Sequence, residues 1–229
     1  MALGDTIYVF DIELANSDSN VYESLRVRVA RHPSETPEHM LTRVLAYCLE
    51  YTEGIALSNG LSEPDEPAIA VRDLTGVLKA WIDVGAPDAM RLHRASKAVP
   101  RVAVYTHKDA VQLAARLRVE RIHRIEALEL YAMDFDWLSD LAQRLQRRTR
   151  FTLTVSAQHL YLSLGGRDVF GGRQPNSAEA VEAAPLGFRL GGRLAVLICR
   201  VKLAPAFSYP SPAYRTSPRT CADNLSEIA

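Results

Sequence analysis

A strand, a tight turn, a second strand and a basic helix follow one another within residues 62–97, and this succession constrains the fold more than any other part of the chain. Over residues 77–85, apolar side chains alternate with Lys79, Trp81 and Asp83, which is the period of two that is typical of a β-strand. The turn before this strand ends in Gly76, a residue type that adopts a positive φ without steric cost. We therefore predict an antiparallel hairpin that leads directly into a helix.

The spacing of the charged residues along this hairpin decides which of them can meet. If the turn pairs Asp73 with Val77, Asp73 lies about 20 Å along the strand from Asp83, and Lys79 lies about 13 Å from it. We therefore predict that Asp73 is a turn residue and that Lys79 is a surface charge.

Asp83 is expected at the end of the hairpin away from the turn, beside the acidic segment that precedes the first strand. Depending on a one-residue choice of register, it lies opposite Pro67 or opposite Glu66, with Asp65 next in the sequence. Two carboxylates at adjacent strand ends can hold one divalent cation, usually Mg²⁺, which polarises a phosphoryl oxygen and lowers the pKa of a bound water. Asp83 with Glu66 or Asp65 is the pair that this geometry allows to converge.

Three cations, Arg91, Arg94 and Lys97, recur at every third position of the following helix, which is predicted to start at Pro87 and Asp88. One interpretation is a row that neutralises phosphate charge near a metal. The other is a solvated basic helix face paired with acids elsewhere, and spacing alone favours this second interpretation.

The rest of the first 164 residues alternates between strand patterns and helix patterns. This alternation predicts an α/β domain with a mixed sheet and flanking helices. The predicted elements are a hairpin of strands 6–15 and 24–30, a helix capped by Thr36, a strand at 101–106, a helix at 108–119, a strand at 127–131, a helix at 137–148, and a closing hairpin of strands 151–155 and 159–164.

The composition changes at residue 166, where glycine, proline and serine become frequent. We predict one domain over residues 1–165 and a divergent, poorly ordered C-terminal tail over residues 166–229. Within the tail, the apolar run LAVLICRV at 194–201 could form a strand or a helix, and its docking place is not evident from the sequence.

Charge and composition exclude several classes of protein. The 27 Lys and Arg residues balance the 27 Asp and Glu residues, which argues against a non-specific polyanion binder, although local clusters would still matter. Three cysteines far apart indicate free thiols in a reducing compartment. The N-terminus lacks the basic region of a signal peptide and no run of about 18 apolar residues occurs, so we expect a cytoplasmic protein with no membrane partner.

Seven short motifs make this sequence resemble the YaeQ protein family from about residue 2 to residue 165. They are HPSET (32–36), RVLAY (43–47), GLS with DEP (60–67), DLTG (73–76), WIDVG-x-PD (81–88), R-x-x-R-A-S-K (91–97) and VYT (104–106). The family is similar to a compact variant of the PD-(D/E)XK nuclease fold. The resemblance implies an α/β core with a metal-dependent, phosphodiesterase-type site that acts on nucleic acid.

The resemblance also implies roles for individual residues. The PD pair falls near Glu66, and Glu66 must substitute because Ala68 stands where aspartate is expected. The (D/E)XK triplet falls on residues 83–85, with Gly85 in place of lysine, so Lys97 is expected to fold back from the helix and replace it. The implied site has Glu66 and Asp83 as Mg²⁺ ligands and catalytic residues, Lys97 as the catalytic lysine, and Arg91 and Arg94 as phosphate contacts.

A catalytically inactive nuclease-fold protein, acting as a binding or regulatory module, is the alternative. Ala68 and Gly85 at the motif positions favour it, whereas convergence of Glu66, Asp83 and Lys97 would favour cleavage. Protein partners and oligomeric state stay open.

Three further groups of polar residues have simpler interpretations. The six histidines show no metal-ligand spacing and are interpreted as surface or structural residues. Glu50 and Glu53 are predicted to lie at a solvated helix end. Four arginines, at positions 144, 147, 148 and 150, either contact a phosphate backbone or form the solvated end of the helix predicted there.

Overall fold

The computed structural model describes residues 5–58, 66–157 and 159–164 in full, and the backbone alone of residues 167–168, 196–197 and 199–202. Within these residues the α/β prediction is confirmed, but the strands form two mixed sheets where one was expected. The division arises because the N-terminal hairpin pairs with the closing hairpin and not with the central one.

The helices and strands follow in chain order. They are β1 (Thr6–Asn16), β2 (Val21–Arg31), α1 (Pro37–Leu49), β3 (Ile55–Leu57), β4 (Ile69–Arg72), β5 (Leu78–Val84), α2 (Ala89–Ala98), β6 (Arg101–Thr106), α3 (Ala110–Arg118), β7 (Glu129–Ala132), α4 (Phe135–Gln143), β8 (Arg148–Ser156), β9 (His159–Leu164), β10 (Arg167–Asp168), β11 (Val196–Leu197) and β12 (Cys199–Lys202).

The first sheet has the strand order β10-β9-β8-β1-β2, with β11 also paired to β9. Strand β1 is antiparallel to β2 and parallel to β8. Its side chains alternate as predicted, with Phe10, Ile12 and Leu14 buried. The two hairpins predicted at the ends of the domain are therefore confirmed.

The second sheet has the strand order β12-β7-β6-β5-β4-β3. Strands β5, β6 and β7 run parallel, and helices α2 and α3 form the crossovers between them. The predicted central hairpin is present as the antiparallel pair of β4 and β5. Because the parallel strands end at the same edge, that edge is where side chains from several strands can meet.

Two hydrophobic cores stack the elements into layers. Helices α1 and α4 lie between the sheets, where Leu45 and Trp137 pack with Phe10 of the first sheet and Ile82 of the second. Helices α2 and α3 cover the other face of the second sheet, where Leu92 and Leu117 pack with Val104. The first sheet and the α2–α3 layer are therefore the two outer layers.

The helix ends follow ordinary capping chemistry. The Thr36 side chain accepts a hydrogen bond from the His39 amide, and Pro37 begins α1, as predicted. Helix α4 begins at Phe135, because Asp134 caps it, and ends at Gln143. The prediction of a helix to residue 148 was wrong, because Arg148 already pairs with Val9 in the first sheet.

The segment after residue 165 contributes short strands to both sheets. Strands β10 and β11 pair with β9, and β12 pairs antiparallel with β7. Part of the apolar run at 194–201 thus docks as edge strands. The predicted order of residues 169–195 and 203–229 lies outside the described residues.

Among the described residues, none of the helices combines the length and the apolar character that crossing a bilayer requires.

Candidate functional site at the end of strand β5

Strand β5 brings Asp83 to the edge where the parallel strands end. The turn pairs as predicted, with the Asp73 amide donating to the Val77 carbonyl at 3.0 Å. Arg72 faces Leu78, whereas Ile69 faces Ile82, and this one-residue change of register marks a β-bulge. Continuing the bulged register places Asp83 beside residue 68, so the predicted placement opposite residue 67 or 66 was wrong.

Both carboxylate oxygens of Asp83 accept hydrogen bonds from protein donors. Arg91 donates from Nη2 to Oδ1 and from Nε to Oδ2, each at 2.8 Å, and the Trp81 indole Nε1 donates to Oδ2 at 2.9 Å. The Asp83 residue is only 2% exposed. This is the two-pronged geometry in which a guanidinium binds a carboxylate most specifically.

Arg91 also joins three parts of the chain. Its guanidinium carbon lies 5.3 Å from the centroid of the Trp81 ring, within cation–π range. Its Nη2 donates to the Glu66 carbonyl at 2.6 Å. Its amide donates to the capping side chain of Asp88 at 2.7 Å, which fixes the start of α2. Arg91 thus holds together strand β5, helix α2 and the segment before β4.

The other residues implied for the site lie in different surroundings. We call the group of Trp81, Asp83 and Arg91 the Asp83 corner. Glu66 is exposed, and its main-chain carbonyl accepts the hydrogen bond that links it to this corner. Lys97 is also exposed, in the last turn of α2, six residues after Arg91 and hence about 9 Å farther along the helix axis. Because α2 runs back along the sheet as a crossover, Lys97 lies toward the end of β5 opposite Asp83. The structure therefore brings Asp83 and Arg91 together, and it does not bring Lys97 to them.

The described residues around Asp83 do not fit the implied magnesium site. No group of three or more His, Cys, Asp and Glu side chains in the described ranges is placed to hold a metal ion. A cation at Asp83 would have to displace the Arg91 guanidinium, which is held to both oxygens of that carboxylate. Asp65 lies outside the described residues.

The turn residues behave as the sequence predicts. The Asp73 carboxylate accepts hydrogen bonds from the Thr75 hydroxyl and from two main-chain amides of the turn. The Thr75 hydroxyl, followed by Lys79 at 3.0 Å, holds the pKa of Asp73 well below its ordinary value. Neither Asp73 nor Lys79 reaches the Asp83 corner.

A second polar cluster lies at the same edge of the second sheet, and the sequence did not reveal it. Glu35 is 3% exposed and accepts a hydrogen bond from Arg43 at 3.1 Å. Its other oxygen lies 2.8 Å from Nδ1 of His39. Arg43, itself 2% exposed, also donates to the Ala30 carbonyl. The HPSET motif is thereby fastened to α1 through a buried ion pair.

The His39 ring fills the space beside Gly85, the position at which lysine was expected. A Cβ atom at Gly85 would lie 3.3 Å from Nε2 and Cδ2 of His39, and Gly85 has a φ of +88°. His107 packs edge-on against His39, with ring centroids 5.6 Å apart. Burial, followed by the proximity of His39, lowers the pKa of His107 to about 4. These two histidines pack at the strand ends, which agrees with the structural interpretation of both.

Glu50 corrects another prediction. It was expected at a solvated helix end, but its side chain is 11% exposed and accepts two hydrogen bonds from Arg101, at 2.6 and 2.9 Å. The Tyr105 hydroxyl also donates to it at 2.7 Å. A link of about fifty residues in sequence is invisible to local patterns. Among the arginines predicted to contact phosphate or form a helix end, those at 148 and 150 lie in β8.

Positive charge concentrates in the α2–α3 layer. Residues 88–127 contain nine Lys and Arg residues against four Asp and Glu residues, although the whole chain is neutral. The exposed members of this set are Arg94, Lys97, Lys108, Arg116, Arg121 and Arg124. Arg91 and Arg101 are held by acids outside this range, so the excess that remains is three positive charges, which gives this outer layer a field that the net charge conceals.

These features define an α/β protein with two mixed sheets and an arginine–carboxylate corner at a strand end. The chain belongs to the YaeQ protein family, whose sequence model matches residues 1–170. It is 29% identical over 164 residues to proteins of Salmonella typhi and Escherichia coli K12, each named "Uncharacterized protein YaeQ". Each alignment covers 71% of this chain and 91% of the relative.

Solved structures of the same family share the fold. The crystal structure of the YaeQ protein from Pseudomonas syringae is similar with a TM-score of 0.69 and 26% identity, covering 86% of this chain and 96% of that chain. The YaeQ protein from Xanthomonas axonopodis pv. citri is similar with a TM-score of 0.61 and 25% identity, covering 72% of this chain and 94% of that chain.

Proposed function

We propose that this protein is a catalytically inactive, nuclease-like member of its family that binds nucleic acid through its basic outer helices. The observation that carries the proposal is the two-pronged Arg91–Asp83 pair, completed by the Trp81 indole. The pair gives Asp83, the acid of the (D/E)XK motif, a structural role. It therefore supports the catalytically inactive function over nucleic-acid cleavage.

The energetics of the pair oppose its exchange for a metal. Removing one partner of a buried ion pair costs about 3–5 kcal/mol, because the other charge stays buried without compensation. A cation bound at Asp83 would leave Arg91 beside it, and the two positive charges would repel each other. The Arg91 guanidinium also donates to the Glu66 main-chain carbonyl, so it lies between Asp83 and the main chain of Glu66.

The charge of the α2–α3 layer supports nucleic acid as the partner. Arg94 and Lys97 are exposed one turn apart on α2, and α3 adds Arg116 nearby on the same side of the second sheet. Cations grouped on one face bind phosphates with release of counterions, and this contribution needs no base-specific contact. Because Arg91 is paired with Asp83, we expect Arg94 and the neighbouring exposed cations to contact phosphate instead.

A combined binding and cleavage assay tests the proposal. Fluorescence anisotropy of labelled DNA and RNA duplexes measures affinity over a salt series, and denaturing gels follow the same nucleic acids with Mg²⁺ or Mn²⁺. We expect saturable binding that weakens as salt rises, with the nucleic acid intact. Arg94→Gln combined with Lys97→Gln should reduce the slope of log affinity against log salt by about 1.8 for duplex DNA, because two phosphate contacts are lost.

The matched control removes two exposed arginines outside this layer, through Arg144→Gln with Arg147→Gln, and should leave the duplex affinity unchanged. Metal-dependent cleavage that disappears in Asp83→Ala would overturn the proposal, because it would assign catalysis to the corner. Absence of any salt-sensitive binding by the wild-type protein would overturn it as well.

A further inference from the structure

The outward face of the first sheet carries four arginines in two adjacent rows. Strand register places Arg28 and Arg148 on either side of Val9, and Arg26 and Arg150 on either side of residue 11. Within each row the two arginine Cα atoms are two strands apart, about 10 Å, and the rows are about 7 Å apart along the strands. All four arginines are exposed.

One acid lies among these arginines and does not neutralise them. Asp11 accepts hydrogen bonds from Nε of Arg26 at 2.8 Å and from Nε of Arg148 at 3.2 Å. The two guanidinium groups, Arg26 first, hold the pKa of Asp11 below its ordinary value, so this carboxylate stays ionised. For Arg28 and Arg150, the described part of the chain offers no hydrogen bond or ion pair. Four positive charges therefore face two negative charges, Asp11 and, one row farther along β1, the exposed Glu13.

Two tyrosines stand farther along the same face. Tyr22 pairs with Ala15, Ala15 with Thr154, and Thr154 with Tyr161, so both rings lie in one row. Tyr22 is 62% exposed and Tyr161 is partly exposed. This row is about 13 Å from the row of Asp11, which is four residues along β1.

We infer that this face binds single-stranded nucleic acid, as a second surface on the outer layer opposite the basic helices α2 and α3. This inference rests on the proposed function because both name nucleic acid as the ligand. The residues proposed to bind it are different. The planar guanidinium groups of the four arginines can bind the phosphates of a nucleic acid. The two tyrosine rings can stack with its unpaired bases. A duplex presents no unpaired bases to Tyr22 and Tyr161, so a single strand fits the face better.

The two long segments outside the described residues carry no excess of negative charge. Residues 169–195 contain three arginines and two glutamates, and residues 203–229 contain two arginines and two acids. Neither long segment has a net negative charge to offer the four arginines, so we expect their counter-charge to come from another molecule. Glu13 lies between the arginine rows and the tyrosine row, and the Ser24 hydroxyl donates to it. A single nucleic-acid strand that reaches both rows would cross the Glu13 carboxylate, which repels phosphate. We therefore expect the phosphates to contact the arginines and not the region of Glu13.

Anisotropy with a labelled oligothymidylate of about 16 nucleotides tests the inference, because that length fills a typical single-strand site. Arg28→Gln combined with Arg150→Gln removes the two arginines without touching the Asp11 pairs. We expect this variant to lose about 10-fold in affinity at low salt and to lower the salt slope by about 1.4, since each phosphate contact on a single strand contributes about 0.7. Tyr22→Ala should weaken the oligothymidylate and leave duplex binding unchanged.

Comparison with the Arg94→Gln, Lys97→Gln variant separates the two proposals. If that variant alone loses the oligothymidylate, nucleic-acid binding stands and the sheet face is refuted. If the wild-type protein binds neither duplex nor single strand, the proposed function fails too. Polyglutamate is the competing ligand. If it binds the wild-type protein as tightly as the oligothymidylate does, and the Arg28→Gln, Arg150→Gln variant loses this binding, the face is a site for acidic protein and the nucleic-acid assignment is overturned.

Discussion

Replacing Arg91 by alanine tests the corner directly, because it leaves the buried Asp83 carboxylate with the Trp81 indole as its one donor among the described residues. Side-chain exposure is 20% for Arg91 and 4% for Asp83, so water can replace the guanidinium only in part. Breaking such a pair costs about 3–5 kcal/mol, and the exposure of Arg91 points to the lower end, about 3 kcal/mol. For a chain of this size that corresponds to a fall in Tm of about 6–12 °C.

Urea unfolding followed by circular dichroism measures the loss, with Lys97→Ala as the control at an exposed position of the same helix. The control should change the free energy of unfolding by less than about 0.5 kcal/mol. Adding Asp83→Asn to Arg91→Ala should recover part of the loss, because an amide has no charge to leave unpaired. A change below about 1 kcal/mol in Arg91→Ala, or no recovery in the double variant, would refute the reasoning.

Three further predictions concern the second cluster. Glu35→Ala should lower the free energy of unfolding by about 3 kcal/mol in urea titrations, because Arg43 is left buried and unpaired, and a loss below about 1 kcal/mol would contradict this. His107 has a pKa of about 4 in the fold against about 6.5 unfolded, so the unfolded chain binds the proton more readily and stability falls by about 3 kcal/mol as the pH drops through that window. Urea titrations at pH 7 and pH 4 should show this fall reduced in His107→Gln, and an unchanged fall would refute it. Gly85→Ala should destabilise more than Gly76→Ala in thermal unfolding, since both have a positive φ but only the first would press a Cβ against a histidine ring. Equal losses would contradict that contact.

Local patterns predicted what local forces determine. The alternation in β1, the Thr36 cap and the Gly76 turn each depend on residues a few positions apart, and the structure confirms them. Strand β5 is buried on both faces over residues 80–83, because helices α2 and α3 cover its second face. Helix α4 was predicted to end too late because arginines suit both a helix end and a strand. Its true end depends on the pairing of β8 with β1, which lies more than a hundred residues away.

The candidate site was predicted only in part, for a related reason. Asp83 was placed at the correct end of its strand, but the bulge between β4 and β5 leaves no signature in the alternation. Arg91 was assigned to phosphate because it forms a row with Arg94 and Lys97, and this spacing does not show that Arg91 pairs with Asp83. An acid at a strand end, followed by an arginine in the first turn of a crossover helix, was the available signal, since that turn begins beside the strand end.

The corner itself is tested most directly by titrating MnCl₂ into the wild-type protein and into Asp83→Asn by isothermal calorimetry. Mn²⁺ serves as the probe because it takes the same carboxylate ligands as Mg²⁺. If Arg91 holds Asp83, the two proteins should give the same heats, with no saturable site that depends on the carboxylate. A stoichiometric Mn²⁺ site present in the wild type and lost in Asp83→Asn would contradict the account.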